Sequence, residues 1–154
     1  MRFPTSLCFV VVVSFAVAQP GLRADDAKDD LKLFQGDWKV VGLEADGKQA
    51  PAEAIKGVRM KIKGSVFEGT YPGQTSGEKA TVKLDSSKSP KQIDLVVLEG
   101  PEKGKTVEGI YKLEKDRLVL CMRGPEVAEK GRPKEFKTDT DSGLGMMTLE
   151  RIKE

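Results

Sequence analysis

Apolar and polar residues alternate with a period of two along much of this chain, and that alternation favours a fold built from strands. Met60 and Ile62 alternate with basic residues, and Val82 and Leu84 lie in a second segment of the same kind. Successive residues of a β-strand point to opposite faces of a sheet, so each segment predicts a strand with one buried face. Six further segments carry strand signals. The eight predicted strands are 38–43, 58–63, 66–70, 79–84, 92–98, 106–113, 117–122 and 145–152.

Short turns separate most of these strands, and the sequence predicts one short helix, Pro51–Lys56, after the first strand. Evenly spaced short strands favour an antiparallel meander, and closing the meander removes its exposed edges. We therefore predict an all-β fold, an eight-stranded antiparallel up-and-down barrel; an open two-sheet sandwich is the alternative. Eight strands enclose an interior that is either packed shut or wide enough for one small ligand.

The N-terminal residues have the pattern of a signal peptide. Arg2 precedes an apolar run that ends in the small residues of Ala16-Val17-Ala18, and this run is too short to span a membrane. We expect residues 1–18 to be removed, with a second cleavage position after Ala24, and the mature chain to be periplasmic or extracellular without a membrane span. Residues 19–30 are predicted to be a mobile acidic segment, and residues 31–154 to form the barrel domain, opened by a short helical turn.

Composition excludes several classes of function. The chain of 154 residues has 26 Lys and Arg against 24 Asp and Glu, and it has no His. A net charge of +2 argues against nucleic acid as a partner, because there is no cationic excess to displace counterions. Without His there is no His-based triad and no His-ligated metal site. Cys121 is the single cysteine that follows the signal peptide, so no internal disulfide is expected, and its position on a strand predicts a buried thiol.

Three motifs were weighed as chemical sites. Gly100–Thr106 is one residue short of a phosphate-binding loop, and a strand follows it where such a loop requires a helix. Residues 139–143 have the glycine of a calcium loop at the wrong position. Glu68, Asp94 and Glu108 have the parity of outward, solvated residues on their strands. We therefore expect no catalytic site, no metal and no cofactor.

The G-x-W motif of Gly36, Asp37 and Trp38 resembles the signature of lipocalins. More specifically, the chain resembles a lipocalin-like domain family of unknown function that is abundant in exported proteins of planctomycete-type bacteria. The segments that carry this resemblance run in order along the chain: 35–38 (QGDW), 46–48 (DGK), 56–57 (KG), 90–95 (PKQIDL), 104–113 (GKTVEGIYKL), 116–121 (DRLVLC) and 132–136 (RPKEF). The resemblance implies a closed barrel and no established activity. It also implies that Gly36 and Trp38 close one end of the barrel, with Arg151 lying over the indole.

The function predicted from these features is a non-catalytic binding module for a small apolar ligand. The candidate ligand-binding residues are Met60, Ile62, Val82, Leu95, Tyr111 and Leu120 inside the barrel, with Arg132 and Phe136 on the long polar connection 123–142. Long connections of this kind are often binding elements. Phe136 is expected at the barrel mouth, as a structural plug or as part of a ligand gate, and Arg132 is expected to pair with a carboxylate.

The alternative function is a cell-envelope interaction or structural domain whose interior is packed solid. In the first case the partner is a small hydrophobic molecule, and in the second it is an envelope protein; a monomer is expected in both. The interior distinguishes them, because an internal cavity of about 300 Å³ or more favours ligand binding.

Overall fold

The computed structural model describes residues 24–74 and 77–153, so the predicted signal peptide lies outside the described residues. Within these ranges nine strands and three helical segments follow one another. They are helix α1 (Ala24–Phe34), strands β1 (Gly36–Ala45) and β2 (Lys48–Gln49), helix α2 (Ala52–Ile55), strands β3 (Arg59–Lys63), β4 (Val66–Thr70), β5 (Glu78–Asp85), β6 (Lys91–Val97), β7 (Thr106–Glu114) and β8 (Arg117–Arg123), a 3₁₀ segment (Pro125–Lys130) and strand β9 (Leu144–Arg151).

The strands form a closed antiparallel barrel. Each of β3 to β8 pairs with the next strand along the chain, β3 also pairs with β1, and β9 returns to β1 with Trp38 opposite Arg151 and Val40 opposite Leu149. Closure therefore uses eight strands, and the two-residue β2 forms only a small hairpin with the end of β1. The predicted eight-stranded up-and-down barrel and the short helix after the first strand are both confirmed; the open sandwich is not observed.

Alternation along the strands produces the core. In β3, Met60 and Ile62 are each 2% exposed, whereas the three basic residues that alternate with them face solvent. Ten side chains on the apolar faces of the predicted strands belong to one hydrophobic cluster. They are Val58, Met60, Ile62, Val82, Leu84, Ile93, Leu95, Tyr111, Leu118 and Leu120, and Leu84 is half-buried while the other nine are buried. One face of each strand thus fills the barrel, as the period of two requires.

Helix α1 is longer than the single turn that the sequence predicts before β1. It includes the second half of the acidic segment, because Asp30, Leu31 and Phe34 lie on one face of the helix at spacings of three and four residues. Phe34 is fully buried, Leu31 packs against the core and Asp30 is only 9% exposed. The buried partner of Asp30, Tyr111, lies on a distant strand. The acidic composition of residues 19–30 therefore does not reveal that this carboxylate is buried.

The long connection between β8 and β9 lies against the outside of the barrel. We call residues 124–143 the outer strap. Thr138 is buried, its hydroxyl bonds the Glu44 carboxylate, and it accepts the backbone N–H of Gly47 at 3.0 Å. Beneath the strap, Ile110 and Cys121 are buried, although their positions on β7 and β8 point away from the core. These contacts lie on the outer surface of the barrel, and a plug or gate at the barrel mouth formed by Phe136 stays a prediction.

Candidate functional site

The open end of the barrel contains a cavity of about 350 Å³. Its wall is mostly apolar and is drawn from the strands β3 to β9. The apolar side chains that line it are Met60, Phe67, Ala80, Leu95, Val97, Val107, Met122 and Met147, with Tyr71 and two prolines nearer the entrance. Three of the wall residues are methionines, whose unbranched and polarizable side chains adapt their shape to a bound molecule. A concave apolar site of this size fits the lower end of the range for small-molecule sites.

Two of the eight candidate binding residues, Met60 and Leu95, line this cavity. The packed core contains four others, each at most 4% exposed: Ile62, Val82, Tyr111 and Leu120. Neither Arg132 nor Phe136 is among the lining residues, and Phe136 is only half-buried. The sequence identified the inward faces of the strands but not which inward residues meet at the open end.

The closed end is filled by α1 and by a buried hydrogen-bonded group. The hydroxyl of Tyr111 donates to Asp30 Oδ2 at 2.5 Å, and Lys91 Nζ lies 2.6 Å from the same oxygen. The Phe34 ring meets the Tyr111 ring edge-on, with the centroids 5.1 Å apart. Burial, followed by the Asp30 carboxylate, raises the pKa of Tyr111 far above its usual range. The Tyr111 hydroxyl is thus hydrogen-bonded within the base of the barrel and is not available to a ligand.

Trp38 and Arg151 complete that base. The Arg151 guanidinium lies over the indole, 4.3 Å from the ring centroid, as the resemblance implies. It also donates to the carbonyl oxygens of Gln35 and Leu33, and the indole N–H donates to the Phe34 carbonyl at 2.8 Å. Gly36 has a φ of +115°, and a Cβ there would lie 3.1 Å from Arg151 Nη1. A side chain in place of Gly36 would therefore strain the backbone and crowd the guanidinium.

Polar residues surround the entrance of the cavity, and we call Tyr71, Glu78, Lys79, Glu99 and Glu102 the rim. The Tyr71 hydroxyl donates to Glu78 Oε2 at 3.2 Å. Burial and the neighbouring Glu78 carboxylate raise the pKa of Tyr71 to about 12, so the phenol is neutral at ordinary pH. Sequence analysis missed this group because the rim lies at strand ends and turns, where alternation gives no signal.

Arg132 binds the outer wall of the barrel. Its Nη2 lies 2.7 Å from Asp94 Oδ1 and 3.2 Å from Glu108 Oε1, two carboxylates that face each other across β6 and β7. Its Nη1 donates to the carbonyl oxygens of Ile93 and Gly109. The expected pairing of Arg132 with a carboxylate is thus present. It fastens the outer strap and reduces the repulsion within a like-charged cross-strand pair.

Other kinds of site were sought in the part of the chain that the structure describes. Residues 24–74 and 77–153 contain no group of three or more Asp, Glu, Cys or His side chains placed to hold a metal ion. None of the helices within those ranges is long and apolar enough to cross a bilayer. No protein-family model, no curated protein and no solved structure matches the chain.

Proposed function

We propose that this protein is an exported, lipocalin-like binding module that takes a small apolar ligand into the open end of its barrel. The apolar cavity of about 350 Å³ is the observation that carries the proposal, since its size lies within the range of small-molecule sites and its wall is formed by the inward faces of the strands. Its wall offers apolar contacts on several strands, so the ligand's body is expected to be apolar and compact. Affinity in the micromolar range is expected for a molecule of that size.

The division of the barrel into two halves supports this function. One end is filled by Trp38, Phe34 and Tyr111, each at most 1% exposed, while the cavity lies at the other. A packed base supplies the stability of the fold, and it leaves the open end free to present a preformed surface to a ligand.

The test uses the neutral fluorescent probe N-phenyl-1-naphthylamine, whose emission increases in apolar surroundings. We expect saturable binding to the protein and loss of that binding in Val107→Trp, because Val107 lines the cavity and an indole there fills it. Thr106→Trp is the matched control, since Thr106 is the preceding residue of the same strand and is exposed. If Val107→Trp unfolds, Val97→Trp fills the same cavity from β6.

Two outcomes would contradict the proposal: no saturable binding by the native protein, or equal binding by the filled variant and its control. In parallel, native mass spectrometry of protein purified from its own host would reveal a retained small molecule. Export is tested separately by sequencing the mature N-terminus, which is expected to begin at Gln19, or at Asp25 if cleavage follows Ala24.

A further inference from the structure

The charge of the rim differs in sign from that of the whole chain. The chain has a net charge of +2, yet the charged side chains that line the cavity are three carboxylates, Glu78, Glu99 and Glu102, and one ammonium, Lys79. Because the rim is the polar end of an otherwise apolar cavity, it is where the polar group of an amphipathic ligand would lie. The sign of the charge on the rim therefore influences which polar head group the site accepts.

The ammonium of Lys79 is already engaged by two carboxylates. Its Nζ lies 3.8 Å from Glu68 Oε1 and 3.7 Å from Glu99 Oε1. These two carboxylates together more than compensate its charge, so Lys79 offers little attraction to an anionic ligand. Glu102 is paired with Lys105 at 2.7 Å and adds no net charge of its own.

Glu78 has a different kind of partner. It accepts a hydrogen bond from the Tyr71 hydroxyl, and a neutral phenol leaves the carboxylate charge uncompensated. Tyr71 also lines the cavity, so its ring is available to a cationic group at the entrance. Glu78 and the excess charge around Lys79 together make the rim an attractive position for a cation.

We infer that the ligand is a cationic amphiphile, with its apolar body in the cavity and an ammonium group at the rim beside Glu78 and Glu99. This inference rests on the proposed function and adds the charge of the head group to it. An ammonium there gains carboxylate partners, whereas the carboxylate of a fatty acid would face like charges. The rim thus discriminates by repelling one class of amphiphile as well as by attracting the other.

Three ligands with the same apolar body, a phenyl ring on four methylene groups, test the inference, namely phenylbutylamine, phenylbutanol and phenylvalerate. Their affinities are measured at pH 7 by displacement of N-phenyl-1-naphthylamine. We expect the amine to bind most tightly and the carboxylate least, with about a tenfold ratio between them at low salt. The ratio should shrink as salt is added, while the affinity of the alcohol changes little.

Rim variants should change that ratio in opposite directions. The double variant Glu78→Gln and Glu99→Gln is expected to reduce the amine-to-carboxylate ratio to about twofold or less, whereas Lys79→Gln should increase it severalfold. Glu114→Gln is the control, because this exposed glutamate pairs with Lys112 and is not among the residues that line the cavity. All of these substitutions are at half-buried or exposed positions, and thermal unfolding verifies that each variant is folded.

The inference is overturned if phenylvalerate binds as tightly as phenylbutylamine, or if the ratio is unaffected by both salt and the rim variants. Failure of the proposed function gives a different result, because phenylbutanol and the neutral probe would then not bind, or Val107→Trp would not impair them. A protein that binds the alcohol but ignores the charge of the head group retains the proposed function and refutes this inference alone.

Discussion

The carboxylate of Asp30 accepts a hydrogen bond from the hydroxyl of Tyr111 at 2.5 Å, although the two residues are 81 positions apart in the sequence. Asp30 belongs to α1 and Tyr111 to β7, so this contact fastens the helix across the closed end of the barrel. Lys91 from β6 lies 2.6 Å from the same carboxylate oxygen and compensates its charge. The helix, two strands and the core thus meet at one buried carboxylate.

Tyr111→Phe is predicted to lower the free energy of unfolding by about 1–2 kcal/mol, because a hydrogen bond to a charged and largely buried group is lost while the ring is kept. The measurement is denaturant unfolding of the mature protein. Asp29→Asn is the control, because the Asp29 carboxylate is 65% exposed and pairs with Lys32 on the helix surface. This substitution should change the free energy of unfolding by less than about 0.5 kcal/mol. Equal effects of the two substitutions would show that α1 is not fastened through Asp30.

Alkaline pH is predicted to destabilise the protein through its buried phenols. The pKa of Tyr111 is raised in the folded state, so above pH 10 the unfolded chain loses this proton while the folded protein keeps it. Stability that is fully present below the unfolded pKa should therefore fall as pH increases, by up to about 1.4 kcal/mol per pH unit for this group.

The same comparison in Tyr111→Phe isolates that contribution. Tyr71, whose pKa is raised to about 12, still contributes in the variant, so its stability should also fall above pH 10 but with a smaller slope. Unfolding by denaturant at several pH values, followed alongside tyrosinate absorbance, measures both slopes. An unchanged slope in the variant would mean that Tyr111 ionises as readily in the folded protein as in the unfolded chain.

The barrel could be predicted from sequence because the patterns that indicate its strands and turns are local. Alternation in segments such as Arg59–Lys63 gives the face of each side chain, and turn residues give the order of the strands. The fit of Asp30 against Tyr111 is not local: it depends on where two strands and a helix meet after the chain has closed. For the same reason alternation predicts which side chains point inward but not which of them, including Phe67 and Met122, surround the cavity.

The contact between Trp38 and Arg151 is predicted to be a principal source of stability at the closed end. Trp38→Ala removes a fully buried indole and should cost about 3–5 kcal/mol. Arg151→Lys keeps the charge but loses the flat guanidinium that lies over the ring and donates to two carbonyl groups, so a cost of about 1–2 kcal/mol is expected.

Lys153→Gln provides the control for that pair, since this exposed lysine pairs with Asp116 near the same end of β9. It should change the unfolding free energy by less than about 0.5 kcal/mol. Gly36→Ala is expected to destabilise as well, because a residue with a side chain is strained at a φ of +115° and its Cβ would lie 3.1 Å from Arg151 Nη1. A melting temperature that is insensitive to Trp38→Ala would contradict the assignment of this residue to barrel closure.

The outer strap shows a second limit of sequence analysis. The parity of Asp94 and Glu108 predicts an outer, solvated position, and the outer position is confirmed. In the structure Arg132 of the strap covers both carboxylates, although it lies 38 residues from Asp94 and 24 residues from Glu108 along the chain. Two like charges opposite each other on neighbouring strands are unfavourable by themselves, so their pairing becomes understandable only with the arginine present.

Arg132→Gln is therefore predicted to loosen the strap and to leave the two carboxylates opposed. Cys121 lies beneath the strap, with its Sγ 3.9 Å from the Lys137 carbonyl oxygen, and burial raises the pKa of its thiol. In the native protein this thiol should react slowly with alkylating reagents. In the variant, opening of the strap should increase the rate of alkylation at Cys121 by about tenfold or more, equivalent to a loss of about 1.4 kcal/mol in strap closure.

Peptide mapping by mass spectrometry measures that rate at Cys121 specifically, and Lys134→Gln is the control because this exposed lysine belongs to the same strap. Adding Glu108→Gln to Arg132→Gln removes the repulsion that the arginine had screened, so the double variant should recover part of the protection. That partial recovery separates the electrostatic role of Arg132 from its hydrogen bonds to the Ile93 and Gly109 carbonyl groups, which the double variant still lacks. Alkylation as slow in Arg132→Gln as in Lys134→Gln would show that the strap is held by its other contacts, chiefly those of Thr138 with Glu44 and Gly47.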